Sequence, residues 1–121
     1  MSIEFNMKDG VITITNDVIA TIVGGTAVEC YGIVGMASKN QIRDGIAEIL
    51  RKDNYSRGVI VRKEGEEIHI DMYIIVSYGT KISEVAHNVQ SQVKYKLHQI
   101  LGLAVHSINI YIQGVSVANQ L

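Results

Sequence analysis

The clearest pattern in the chain is an alternation of apolar and polar positions that gives way to a helical repeat and then returns. Across Glu67–Tyr78 every second residue is apolar, which is typical of a strand with one buried face. Over residues 82–101 the apolar positions recur every three or four residues, as in an amphipathic helix. These positions are Ile82, Val85, Ala86, Val89, Val93, Leu97, Ile100 and Leu101. After Gly102 the alternation resumes at residues 108–112, so the pattern predicts a strand–helix–strand unit that carries much of the core.

The amino-terminal residues predict a hairpin followed by a second helix. Apolar and polar residues alternate on both sides of an Asp-Gly pair at 9–10, a dipeptide favoured in tight turns because both residues tolerate positive φ. Thr15 or Asn16 then suits the N-cap of a helix. Its predicted inward stripe is Ile19, Ile22, Val23, Ala27 and Cys30. A Gly-Gly pair at 24–25 costs about 1 kcal/mol per glycine within that helix, and we expect close packing, rather than a ligand approaching the backbone, to account for it.

Residues 37–57 predict a helical excursion from this pattern. The apolar residues with helical spacing are Ile42, Ile46, Ile49 and Leu50. A polar loop follows, and residues 59–61 predict a strand that pairs with Glu67–Tyr78 across a turn. The whole pattern predicts an α/β (α+β) fold over residues 1–121 as a single domain. It is a two-layer sandwich in which a mixed β-sheet carries helices mainly on one face.

The other face of the predicted sheet is the candidate binding surface. If the helices cover the face that carries residues 72, 74 and 76, an amphipathic patch lies on the opposite face. Its members are Tyr73, Ile75, Asn109, Tyr111 and Gln113. Tyrosine combines a large apolar ring with a polar hydroxyl and is enriched at interface centres. We expect these residues to contact a partner, unless the excursion helix covers them within the chain.

Composition and charge narrow the function classes. The chain has 121 residues and 47% hydrophobic residues, enough for a core of its own. Its net charge of −1, from 11 basic and 12 acidic residues, lacks the basic excess typical of nucleic-acid modules. No apolar run approaches the roughly 20 residues needed to cross a bilayer, and no export signal is evident at the start. We therefore expect a cytoplasmic protein that reaches a membrane only through a partner.

Few residues suggest chemistry. His69 and Asp71 share a strand face and could form a metal pair or an acid–base couple, but an exposed polar strand is the favoured interpretation because no third group is evident. Cys30 is the single cysteine and is expected to be a small buried residue. Residues Gly32–Gly35 match the bare GXXG pattern of RNA-binding KH domains, but the two central residues are apolar. The sequence predicts no catalytic, metal or cofactor site and no enzymatic activity.

Several segments, and their order, resemble a known family. They are residues 10–19 (GVITITNDVI), 27–36 (AVECYGIVGM), 73–79 (YIIVSYG), 85–90 (VAHNVQ), 102–105 (GLAV) and 108–115 (INIYIQGV). Together they resemble the bacterial alkaline shock protein family, also described as envelope stress response proteins. The resemblance implies a small cytoplasmic α/β protein without established enzymatic activity, linked to cell-envelope homeostasis. In some relatives a separate anchoring protein holds the family member at the membrane.

The excursion at 37–57 resembles a feature of the shorter family members that lack long charged tails. Genes of those members tend to lie beside one for a fatty-acid kinase, which implies a link to lipid metabolism. The sequence therefore predicts a non-enzymatic interaction protein that binds a protein partner, or itself, through the sheet face or the excursion. The alternative is a small nucleic-acid-binding domain that uses Gly32–Gly35 and the basic residues of 51–63. A partner of fatty-acid kinase metabolism, and a hydrolase or metal enzyme around His69 and Asp71, are further alternatives.

Overall fold

The computed structural model describes residues 2–43, 46–50 and 52–117, which form seven strands, two α-helices and a short 3₁₀ helix. The elements in chain order are β1 (Ser2–Met7), β2 (Gly10–Thr15), α1 (Asn16–Val28), β3 (Ile33–Arg43), β4 (Ile46–Ile49), the 3₁₀ helix (Lys52–Arg57), β5 (Val59–Glu64), β6 (Glu67–Ser77), α2 (Ile82–Leu101) and β7 (Ser107–Ser116). The mixture of helices and strands confirms the predicted α+β fold class.

The long strand β6 is the centre of the main sheet. On one edge it pairs antiparallel with β5 through residues 67–72 and with the start of β3 through residues 74–76. On the other edge it pairs parallel with β7. Parallel neighbours need a long crossover, and α2 supplies it. The predicted strand–helix–strand unit is therefore confirmed as β6–α2–β7.

The core lies between this sheet and the two helices. The α2 residues Val85, Val89, Val93 and Leu97 are buried, as the helical repeat predicts. The prediction is wrong for Ile82 and Ile100, which are 40% and 56% exposed. Both lie within the terminal turns of α2, and the buried positions of the helix lie between them. Gly102 ends the helix in the left-handed conformation with φ of 67°, which glycine adopts without strain.

The amino-terminal predictions are confirmed with small shifts. The hairpin β1–β2 turns through Lys8 and Asp9, one residue earlier than predicted, and Gly10 takes a φ of 142° opposite Met7. Thr15 is the N-cap of α1, and its hydroxyl accepts a hydrogen bond from the Val18 amide at 3.4 Å. Of the predicted α1 stripe, residues 19, 23 and 27 are buried, whereas residues 22 and 30 are half-buried.

Close packing at Gly24 has a specific cause. A Cβ atom at Gly24 would lie 2.4 Å from Cδ2 and 2.6 Å from Cγ of Tyr55, so the tyrosine ring rests directly on the helix backbone. Tyr55 belongs to the 3₁₀ helix and is itself buried. A Cβ atom at Gly25 would meet nothing within 4 Å. The packing interpretation therefore holds for the first glycine of the pair and not for the second.

The predicted helical excursion at 37–57 is wrong. Strand β3 continues to Arg43 and pairs antiparallel with β4, with Ile42 opposite Ala47 and Arg43 opposite Ile46. Among the described residues of this segment, 37–43, 46–50 and 52–57, only the last group is helical, as a 3₁₀ helix. Short apolar runs do not distinguish helix from strand by spacing alone, and the β-branched isoleucines of this segment favour a strand.

Candidate interaction face

We call the face of the sheet that points away from α1 and α2 the second face. It is set by the strand alternation, because the even-numbered residues of β6 from 70 to 76 are buried in the core with the helices. The register places Asp71 opposite Asn109 and Tyr73 opposite Tyr111. The second face includes Arg62 from β5, then His69, Asp71, Tyr73 and Ile75 from β6, then Ser107, Asn109 and Tyr111 from β7.

A buried carboxylate ties three strands together on this face. Asp71 accepts hydrogen bonds from Nε and Nη2 of Arg62, at 2.9 and 3.2 Å, and from Nδ2 of Asn109 at 2.9 Å. Glu64 pairs with Nη1 of the same guanidinium at 2.5 Å. The hydrogen bond to Asp71 raises the pKa of Arg62 above its ordinary value. Asp71 is only 8% exposed, and the interpretation of this strand as exposed and polar is wrong at that position.

His69 links β6 to β7 on the same face. Its Nδ1 shares a hydrogen bond of 2.6 Å with Oγ of Ser107, and its Nε2 lies 3.3 Å from Oε1 of Glu67. A serine, a histidine and a carboxylate in a row are the side chains of a nucleophilic triad, but such a triad also needs donors placed for the developing oxyanion. The side chain of Glu67 is 58% exposed to water, unlike the buried carboxylate of such a triad. The arrangement ties β6 to β7 through the hydrogen bond between His69 and Ser107.

The described residues also offer no metal centre. Within residues 2–43, 46–50 and 52–117, no group of three or more histidine, cysteine, aspartate or glutamate side chains is placed to hold a metal ion. A structural or catalytic zinc site takes three or four such ligands. His69 and Asp71 are instead held by different partners, Ser107 and Arg62. Their shared strand face, which the sequence predicts, does not bring them together as a ligand pair.

The two tyrosines of the second face form a stacked pair. The rings of Tyr73 and Tyr111 lie 4.8 Å apart between centroids, with 15° between their planes. Tyr73 is 7% exposed and Tyr111 is 46% exposed. The ring of Tyr73 is therefore buried, and the ring of Tyr111 stacked on it is accessible to solvent. Burial raises the pKa of the Tyr73 phenol, and the neighbouring Tyr111 and Asp71 raise it further.

Part of the second face is covered within the chain. Tyr73, Ile75 and Ala37 form a small buried cluster, with Val34 and Ile60 packed against it. Ala37 belongs to β3, so a strand, and not the predicted excursion helix, contributes to this cluster. Of the five residues predicted from the sequence as an interface, two are buried, two are half-buried and only Tyr111 is exposed. Their contact with a partner stays a prediction.

The predicted alternation along β7 ends at Ile112. Ile74 pairs with Ile112, but the next residue of β6, Ile75, pairs with Gly114. Gln113 is therefore the extra residue of a bulge, and the assignment of Gln113 to the same face as Tyr111 by simple alternation is not valid. Among the described residues beyond the bulge, Val115 and Val117 are 49% and 55% exposed.

The GXXG match at Gly32–Gly35 does not form an open loop. Ile33 and Gly35 lie in β3 and pair with Val76 and Ile75 of β6. Gly32 has a φ of 87°, and a Cβ atom there would lie 2.6 Å from Cγ2 of Val85. The pattern is therefore explained by a tight turn into a buried strand, which has no loop to clamp a nucleic-acid backbone.

Cys30 is half-buried, and its Sγ donates to the carbonyl of Thr26 at 3.4 Å. Burial raises the pKa of its thiol, and the nearby charge of Glu29 raises it further. The neutral thiol, which is the weaker nucleophile, is the form favoured near neutral pH. Cys30 packs against the core as expected, but it is half-buried and not buried.

Sequence reasoning missed Arg62 and Ser107. The sequence indicates a surface of mixed charge around Arg62, although the register of the predicted hairpin could have located this side chain beside Asp71. A turn at residues 65–66 places Arg62 opposite His69 and diagonal to Asp71 on one face. The parallel register that brings Ser107 beside His69 depends on the α2 crossover, and no local pattern specifies it.

A comparison with protein-family models matches residues 4–117 to the alkaline shock protein family, described as having a cell envelope-related function. The chain belongs to that family. The resemblance noted from the sequence segments is thereby confirmed, together with the relation to the cell envelope. No helix within residues 2–43, 46–50 and 52–117 is long and apolar enough to span a bilayer.

Similar proteins of this family are known by sequence. The uncharacterized protein YloU of Bacillus subtilis is 72% identical over 98% of this chain and 99% of its own length. The uncharacterized protein Spy1614 of Streptococcus pyogenes is 47% identical over 99% of both chains.

Among solved structures, a copper form of the MamM CTD matches with a TM-score of 0.48 and 14% identity, over 84% of this chain and 87% of that one.

Proposed function

We propose that this alkaline shock family protein is a non-enzymatic interaction protein of the cytoplasm that serves the cell envelope by binding another protein through its second face. The observation that carries the proposal is the exposed ring of Tyr111, fixed against the buried ring of Tyr73. The chain belongs to a family with a cell envelope-related function, and this membership supports the proposed role at the envelope.

Two residues of the second face are of the types that dominate binding energy at protein interfaces. Tyrosine and arginine are enriched among such hot spots. Tyr111 is held by stacking, and Arg62 is held by Asp71 and Glu64. Ordering a rotamer-rich side chain on binding costs about 0.5–1.5 kcal/mol, and both side chains are already ordered. A partner would therefore meet a pre-organised surface.

The charge of this surface favours a polypeptide over a nucleic acid. The guanidinium of Arg62 is paired with two carboxylates, those of Asp71 and Glu64. Binding of a phosphate backbone relies on surplus positive charge, which this network does not provide. The aromatic ring of Tyr111, with Asn109 two residues before it on β7, offers apolar area together with a hydrogen-bonding group, and a polypeptide uses both.

The polar groups of the second face also favour binding over catalysis. Asp71, His69 and Asn109 form hydrogen bonds between neighbouring strands of the sheet. These bonds hold the three side chains in positions that stabilise the sheet. A partner protein fixed in the membrane would give such a protein an envelope role without a membrane-spanning helix of its own. We therefore place the partner, rather than this chain, at the membrane.

The proposal is tested by affinity capture from a detergent-solubilised extract of the host cell. The wild-type chain is compared with Tyr111→Ala and with the control Tyr95→Ala, which removes a tyrosine that is 57% exposed on α2. We expect a defined set of proteins to be lost with Tyr111→Ala and retained with Tyr95→Ala. Loss of the ring stacking should lower stability by no more than about 1.5 kcal/mol. An identical set captured by both variants would contradict the proposal.

A further inference from the structure

A cleft of about 380 Å³ lies between α2 and the start of β7. Its volume falls within the range of roughly 300–1,000 Å³ that is typical of small-molecule sites. One wall is formed by His87, Gln90, Ser91 and Lys94, which are spaced three or four residues apart and so share one side of α2. The facing wall is formed by residues 105–109.

The charge of this cleft differs from that of the whole chain. Every lining side chain that can carry a charge is cationic when charged, namely Lys94, His87 and His106. No acidic residue in the part of the chain that the structure describes lines the cleft, although the chain as a whole has 12 acidic residues and a net charge of −1. Among the described residues, no salt bridge occupies the ammonium group of Lys94.

The hydrogen bonds around the cleft fix its walls and leave donors available. Gln90 Nε2 donates to the carbonyl of Ile108 at 2.9 Å and so ties the helical wall to the strand wall. His106 Nδ1 accepts the amide of Ile68 at 3.4 Å, so the neutral ring carries its proton on Nε2. Lys94 adds an ammonium with three donor hydrogens.

We propose that this cleft binds the phosphate group of a small anionic ligand. A phosphate offers several acceptor oxygens and a negative charge, which match a lysine ammonium and imidazole donors in a space without a competing carboxylate. The inference goes beyond the proposed protein contact, since its ligand is a small molecule and its residues do not include Tyr111. The phosphate belongs either to free inorganic phosphate or to a phosphorylated small molecule.

The test is a ¹H–¹⁵N NMR titration of the full chain with inorganic phosphate, phenyl phosphate and acetate, at constant ionic strength. We expect saturable shifts at residues 87–94 and 105–109 with at least one of the two phosphates. Binding of phenyl phosphate alone would identify a phosphorylated molecule as the natural source, and equal binding would identify free phosphate. Acetate binding as tight as phosphate binding would overturn the inference.

Matched variants separate a built site from general charge attraction. Lys94→Gln should weaken phosphate binding about tenfold, whereas Lys96→Gln, which removes the same charge from a position about half a turn away on α2, should leave it unchanged. Equal weakening by both variants, or no saturable shift with either phosphate, would overturn the inference. Those results would leave the capture experiment with Tyr111→Ala unaffected, so the two proposals fail independently.

Discussion

Arg62 on β5 binds the carboxylate of Asp71 on β6 through two hydrogen bonds, of 2.9 and 3.2 Å. Asn109 on β7 donates a further bond to the same carboxylate, so a single side chain joins three strands. Because Asp71 is buried, these bonds replace the water that its charge has lost. The second face thus depends on this carboxylate for its geometry.

Asp71→Ala should therefore destabilise the fold. The variant removes the acceptor of three hydrogen bonds, two of them from a cation, and we expect a loss of about 2–3 kcal/mol in the free energy of unfolding. Urea denaturation followed by circular dichroism measures it. Glu4→Ala, which removes an exposed carboxylate from β1, should change stability by less than about 0.5 kcal/mol. Equal effects of the two substitutions would show that the network contributes nothing.

The glycine pair in α1 gives opposite predictions for two neighbouring substitutions. Gly24→Ala places a methyl group against the buried ring of Tyr55 and should cost about 1–3 kcal/mol through overpacking. Gly25→Ala meets nothing within 4 Å and should stabilise the helix by up to about 1 kcal/mol. Thermal and urea unfolding of both variants checks the sign. Destabilisation of similar size at both positions would contradict the packing described for Tyr55.

Tyr73 should make stability depend on pH in the alkaline range. Its pKa is raised in the folded state, so the folded protein holds the phenolic proton more tightly than the unfolded chain does. This contribution is fully present below the ordinary tyrosine pKa of about 10 and is lost as the pH rises through the folded value. In Tyr73→Phe the decline of stability above about pH 10 should be shallower than in the wild type.

Denaturant unfolding across an alkaline pH series measures this decline. Tyr31→Phe is the control, because Tyr31 is 80% exposed. Its curve should run parallel to that of the wild type. A parallel curve for Tyr73→Phe as well would show that the buried phenol does not control the alkaline transition.

Ser107 should not act as a nucleophile. It contacts Nδ1 of His69 at 2.6 Å, but the carboxylate beyond the histidine belongs to the exposed side chain of Glu67. We expect purified wild-type protein and Ser107→Ala to hydrolyse an activated ester such as p-nitrophenyl acetate at the same slow rate. Turnover that disappears only in the variant would refute the non-enzymatic account.

The parts of the fold that the sequence predicts are those with a long, regular pattern. The repeat of three or four residues predicts the helix α2, and four of its apolar positions are buried together in the structure. The alternation over β6 predicts a strand, which is also present. The segment at 37–57 was predicted wrongly because the spacing of its isoleucines suits a helix, whereas residues 37–43 and 46–49 pair with each other as an antiparallel hairpin, which spacing alone does not reveal. Ile82 and Ile100 match the helical pattern, but the core does not reach them.

The candidate face could be predicted only in part. Alternation placed Tyr73 and Tyr111 on one side of the sheet, and the parallel register brings them together. Alternation could not reveal that Tyr73 packs in a buried cluster with Ala37, because β3 comes from a distant part of the chain. Nor could it reveal the bulge at Gln113, since a register shift is set by pairing between strands and not by local spacing.

In the proposed function, a partner protein contacts the exposed ring at position 111. Photo-crosslinking in cells detects this contact, with p-benzoylphenylalanine replacing Tyr111 in one variant and Tyr95 in the other. We predict discrete crosslinked protein products from position 111 and none from position 95. No products from position 111, or the same products from both positions, would contradict the claim.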